Sequence, residues 1–129
     1  MKNAYFLLGK FFVGGLLLLG LSFSSCQRDC DGTPPRVYVS NYCTFKMEVE
    51  VDVIGDKTYT EVLDYGESVS YKVHETKVSI KAKEYAPLIT LARTKNFEAR
   101  NCKKYYIEFV ENDSAILYDF DLKFESNWD

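Results

Sequence analysis

A period of two in the apolar side chains dominates this chain and decides its fold class. Phe45, Met47, Val49, Val51 and Val53 alternate with Lys46, Glu48, Glu50 and Asp52. A strand turns successive side chains to opposite faces, so this run predicts one apolar face and one wet face. The rhythm returns in Val69, Tyr71 and Val73, set between Ser68, Ser70, Lys72 and His74. It returns again in Val78, Ile80 and Ala82, set between Lys77, Ser79, Lys81 and Lys83. Tyr105, Ile107 and Phe109 keep it, followed by Ile116, Tyr118, Phe120, Leu122 and Phe124. No stretch sustains a helical period. Half-wet strands of this kind belong to antiparallel sheets, and the ten Tyr and nine Phe suit them.

Turn chemistry divides the strands. Ile54-Gly55-Asp56-Lys57 reads as a tight hairpin, Asp64-Tyr65-Gly66-Glu67 ends the following strand, and Glu111-Asn112-Asp113-Ser114 joins the last two. Asn96 to Asn101 is polar and irregular and reads as a loop. Pro87 interrupts a strand and points to an edge or boundary. Seven or eight short strands at this spacing predict an all-β, antiparallel β-sandwich. The run Val49-x-Val51-Asp52, Gly55, Val62-Leu63-x-x-Gly66-Glu67-Ser68 and Val78-x-Ile80-x-Ala82 resembles small immunoglobulin-like modules of bacterial surface proteins. The resemblance covers about Arg36 to Lys83. It implies an architecture and carries no catalytic residues with it.

The first 25 residues follow a different logic. Lys2 and Lys10 precede the apolar run Phe11 to Leu21, and the small polar Ser22, Ser24 and Ser25 follow it. A basic start, a short apolar core and a small-residue exit predict a signal peptide over residues 1–25. The apolar run falls well short of the roughly 20 residues that a spanning helix needs. Its exit, Phe23-Ser24-Ser25-Cys26, resembles the lipobox of bacterial lipoproteins, which implies acylation of Cys26 and a mature chain beginning there. Phe23 departs from the leucine most common at its position, and cleavage after Ser24 is the competing expectation. Residues 26–35 are polar and end in Pro34-Pro35, which predicts a short extended spacer before a domain over residues 36–129. The start Gln27-Arg28-Asp29 loosely resembles the acidic export tails of some Gram-negative lipoproteins, which implies a bacterial cell envelope location at the outer membrane.

With Cys26 acylated, Cys30, Cys43 and Cys102 remain. Cys43 and Cys102 each precede an expected strand, so a Cys43–Cys102 bridge is predicted, closing a loop of about 60 residues and contributing roughly 4 kcal/mol. Cys30 is then the odd thiol. Without acylation, four cysteines allow three pairings.

Chemistry is sparse. The formal charge of −3 becomes −5 once the two positive charges of Lys2 and Lys10 are removed, and no basic stripe marks a nucleic-acid surface. No Cys-x-x-Cys exists and His74 is the only histidine, which leaves no metal site and no cofactor to expect. His74 on a polar strand face is a poor general base, no Gly-x-Ser-x-Gly elbow or phosphate-binding loop exists, and an enzyme is not expected. Glu48, Glu50 and Asp52 would offer calcium ligands, but as strand neighbours of Lys77, Lys81 and Lys83 they read better as cross-strand pairs. Asp113-Ser114-Ala115 resembles the short acceptor of an O-glycosylation system, which implies modification at Ser114. The expectation is a lipid-anchored envelope binding or accessory protein. It would meet a protein or glycan through exposed aromatics such as Tyr42, Tyr65, Tyr85 and Trp128. The rival expectation is an inhibitor or immunity-type lipoprotein that blocks a toxin or protease with the Asn96–Asn101 loop.

Overall fold

The computed structural model describes residues 30–85, 92–112 and 120–128. Eight strands follow one another: β1 (Arg36–Asn41), β2 (Met47–Val53), β3 (Thr58–Leu63), β4 (Ser68–Lys72), β5 (Thr76–Glu84), β6 (Ala92–Ala99), β7 (Lys103–Glu111) and β8 (Phe120–Trp128). They form two four-stranded sheets, ordered β4-β1-β7-β8 and β3-β2-β5-β6. There is no helix among the described residues. The apolar faces of the two sheets close on one core, the arrangement of a β-sandwich.

The alternation places the core as expected. Met47, Val49, Val51 and Val53 of β2 are at most 1% exposed, and Val78, Ile80 and Ala82 of β5 are buried beside them. Val37 and Val39 of β1, Ile107 and Phe109 of β7 and Phe120 of β8 fill the other side. Aromatic rings seal both open flanks. Tyr59 of β3 meets Tyr71 of β4 at 4.3 Å between centroids, and Phe97 of β6 meets Phe124 of β8 at 5.1 Å. Burial, followed by the charge of Glu61 and the nearby Tyr59, pushes the Tyr71 phenol up to about 12.

The acidic and basic stripes are cross-strand partners. Glu48 lies opposite Lys83 and Glu50 opposite Lys81. The Lys83 ammonium sits 2.9 Å from the Glu48 carboxylate, and Lys77 faces Glu98 on the other neighbour, β6. The two turns form where glycine permits a left-handed backbone. Gly55 has φ +84° and Gly66 φ +78°, in turns closed by Asp56 N–H to Val53 O and Glu67 N–H to Asp64 O.

Two expectations are corrected. The sheets are not purely antiparallel, because β1 runs parallel to β7. A parallel neighbour needs a long connection, and β7 is reached only after the chain has crossed to the other sheet and back twice. The expected Asn96–Asn101 loop is largely strand: residues 96–99 belong to β6, and only Arg100 to Cys102 turn. β6 is an edge strand, wet on one side, so its charged residues blunt an edge and still present Phe97 and Ala99 to the core.

Candidate functional site

The strand registers give the sandwich two unlike ends. At one end lie the Gly55 hairpin, the β4–β5 connection, the β6–β7 turn and the segment leading into β1. At the other lie the β1–β2 and β3–β4 connections, the end of β5 and the start of β8.

The chain enters at the first end. Cys30 is bridged to Cys102, with Cα atoms 5.7 Å apart, and Cys43 is the free, buried thiol. The expected Cys43–Cys102 pairing is therefore corrected, and the parallel β1–β7 pair supplies the reason. Cys43 follows the last paired level, Asn41 with Phe109, while Cys102 precedes the first, Arg36 with Lys104. Six paired levels at about 3.3 Å per residue separate them by at least roughly 17 Å, beyond the ~7 Å limit for a disulfide. Cys30 precedes β1 on the same side as Cys102 and reaches it. Backbone bonds reinforce the staple: Cys102 N–H to Thr33 O at 2.7 Å and Val73 N–H to Pro35 O at 3.0 Å. Asp31 accepts from both the hydroxyl and the N–H of Thr33, which hold its carboxyl below the usual range. Residues 30–35, expected to be spacer, are thus stitched to the domain.

The far end is organised by Asn41. Fully buried, its Nδ2 donates to Phe45 O and Leu63 O, both at 2.9 Å, and its Oδ1 accepts from Cys43 N–H at 2.8 Å. Its own backbone bonds Glu67 O and Gly66 N–H. One side chain thereby holds the β1–β2 connection and the end of β3, in opposite sheets. Thr44 adds bonds from its N–H and hydroxyl to Glu111 of β7, and Lys46 pairs with Asp64 at 3.2 Å. Cys43 is sealed beneath, where burial and then the Glu111 charge push its thiol up to about 12. Glu84 continues the inward phase of Val78, Ile80 and Ala82 at the rim of the core. Its Oε2 is buried without a hydrogen-bond partner among the described residues, and burial raises its carboxyl.

On this scaffold Tyr42, Tyr65 and Tyr85 stand out into solvent, exposed by 46%, 66% and 57%. Tyr42 N–H bonds Phe109 O and Tyr85 N–H bonds Lys46 O, so the backbone beneath two of the rings is fixed. Trp128, the fourth expected aromatic, is exposed at the opposite end beside Lys103, whose ammonium lies 4.6 Å from the ring centroid. An open groove of about 490 Å³ lies on the outer side of β5 and β6, between Ile54, Lys77, Ser79 and Asn96. It is remote from the tyrosine end and contains no nucleophile with a paired base. His74 is exposed, 3.8 Å from Asp56. Among the described residues no group of three or more His, Cys, Asp or Glu side chains is placed to hold a metal. Cys26, Ser114 and Pro87 lie outside the described residues.

Sequence reasoning located the exposed tyrosines but missed Asn41 and Glu84. The signal was present: each is a polar residue in the core-facing phase of its strand, after Val37 and Val39 and after Ile80 and Ala82. No family model, no curated protein and no solved structure matches this chain.

Proposed function

We propose that the chain is a lipoprotein of the bacterial cell envelope, acylated at Cys26 and placed at the outer membrane. Its β-sandwich would bind a protein or glycan partner without catalysing a reaction. The observation that carries the reading is the polarity of the domain. The Cys30–Cys102 staple fixes the entering chain at one end, and the Tyr42, Tyr65 and Tyr85 loops stand at the other. A chain tethered near Cys30 would present those rings away from its anchor. Tyrosine suits such a face because a rigid, amphipathic ring gives much contact area for little lost conformational freedom. The bridge itself supports an oxidising compartment. The two four-stranded sheets support the sandwich part of the resemblance; their orders, with β2 and β3 side by side in one sheet, depart from the A-B-E-D and C-F-G orders of an immunoglobulin domain.

Two measurements test the proposal. Intact mass of the processed chain should show an acylated N-terminus at Cys26 that disappears in Cys26→Ser; a mass matching cleavage after Ser24 would sink the anchor. Pull-down from envelope extracts should recover a structural envelope component with the native chain and lose it with a Tyr42→Ala/Tyr65→Ala/Tyr85→Ala variant of unchanged melting temperature. Recovery of a toxin or protease instead would support the inhibitor reading.

A further inference from the structure

The outer side of the β4-β1-β7-β8 sheet holds a ledge beside Tyr38. Val37 and Val39 face the core, so Arg36, Tyr38 and Ser40 face outward, and Ser68, Ser70 and Lys72 of β4 share that side. The register sets them opposite one another in pairs: Arg36 with Lys72, Tyr38 with Ser70 and Ser40 with Ser68. Tyr106 of β7 stacks on Tyr38, with centroids 5.0 Å and planes 8° apart. That separation is close to the strand spacing of about 4.8 Å, so Tyr106 covers one face of the ring and the other looks towards β4. There Ser70 offers only a hydroxymethyl, too short to cover the ring, and β4 is an edge strand. The bonds from Asn41 N–H to Glu67 O and from Val73 N–H to Pro35 O set Glu67 and Val73 towards β1, and with them Val69 and Tyr71. Ser70 therefore turns its backbone N–H and C=O to the open edge. The Ser40 and Ser68 hydroxyls, bonded at 2.7 Å, close one end of the ledge. Arg36 and Lys72 close the other, directly opposite one another and with no ion pair among the described residues. Like charges so placed repel, in a fold that elsewhere sets Glu48 against Lys83 and Glu50 against Lys81.

We infer that this ledge binds an acidic saccharide: a pyranose ring lies on the open face of Tyr38, its carboxylate meets Arg36 and Lys72, and its hydroxyls bond Ser70. The face of an aromatic ring is the negative pole of its quadrupole and attracts the weakly positive C–H groups along one side of a sugar. A guanidinium pairs with a carboxylate through two parallel bonds. The Ser70 hydroxyl, N–H and C=O suit alcohol groups that both donate and accept. Charge complementarity selects an anion, and the open ring beside it selects one carried on a flat, partly apolar body. A simple anion would use the cations and leave the ring idle. The site is separate from the Tyr42, Tyr65 and Tyr85 loops and does not rest on the anchor.

The full chain, produced in cells and purified in an uncharged detergent, is titrated by calorimetry with trigalacturonate. Maltotriose serves as the neutral sugar and citrate as the anion without a sugar. Trigalacturonate should bind saturably and roughly tenfold or more tighter than either, the equivalent of one good contact in each comparison. Ser70→Tyr, which fills the ledge with a ring of its own, should abolish binding, and Tyr38→Phe, which keeps the ring, should preserve it. An Arg36→Gln/Lys72→Gln variant with the native melting temperature should bind roughly tenfold more weakly, at about threefold per exposed cation. Lys81→Gln/Lys123→Gln, which removes the same charge elsewhere on the surface, should bind as the native chain does. Equal weakening in both double variants would mean attraction by charge at large and overturn the inference. Citrate binding as tightly as trigalacturonate would reduce the site to an anion contact, and maltotriose doing so would remove the demand for an acid; either overturns it. Binding that survives Ser70→Tyr at the native melting temperature, or no binding of trigalacturonate by the native chain, overturns it as well. None of these outcomes alters the acylation test at Cys26.

Discussion

Asn41 shows how one polar side chain in a core can organise an end of a sandwich. Two carbonyls and one N–H meet it, a pattern that only an amide satisfies at this size. Asn41→Ala strands all three, and we expect a loss of about 3 kcal/mol or more in chemical denaturation; Asn41→Asp, which cannot donate, should cost a comparable amount. Glu84 behaves oppositely. Its folded carboxyl is raised, so the folded state holds a proton that the unfolded chain releases above about pH 4.5. Stability is therefore present at acid pH and declines as pH rises through the folded value. Glu84→Gln should melt higher than the native chain at neutral pH, with the difference vanishing once the medium is acid enough to protonate the carboxyl in both states. Cys43 follows the same sign in another window. Its contribution is intact below pH 9.0 and lost as pH climbs towards about 12. Cys43→Ala should flatten that alkaline decline, and iodoacetamide at mildly alkaline pH should label the native thiol only after unfolding. These residues were legible in the sequence only as breaks in phase, because a pattern of two marks a position as inward without saying which partners await it.

At the scale of elements, strands β2, β5 and β7 were legible outright, since each alternates cleanly and is buried on one side. β6 was not. An edge strand has one neighbour to satisfy and water on its free side, so its composition drifts towards that of a loop. The cysteine pairing was illegible for a different reason: it depends on whether two strands run parallel or antiparallel, a fact about neighbours that no local pattern contains. The pairing has a measurable consequence. Bridging residues 72 apart in sequence stabilises by about 4 kcal/mol in the chain-entropy account. Cys30→Ser and Cys102→Ser should each lower the unfolding midpoint by a similar amount, and Cys43→Ser should leave the bridge intact by non-reducing peptide mapping. Should Cys43→Ser instead free a second thiol, the Cys30–Cys102 pairing would be wrong.

The sandwich has one end pinned by the Cys30–Cys102 bridge and another that carries three exposed tyrosines, and its topology sets the order in which that body can be made. β1 lies inside its sheet, between β4 and β7. It is the first of the eight strands to be synthesised, yet one of its two ladders is absent until the chain has continued as far as β7, and Cys30 has no partner until Cys102 appears. Pairings this far apart in sequence make for slow folding. A nascent chain therefore exposes the apolar Val37-Tyr38-Val39 segment and the still unbridged Cys30 together, well before either can be covered. That delay makes β1 the segment a chaperone or a disulfide catalyst would meet first.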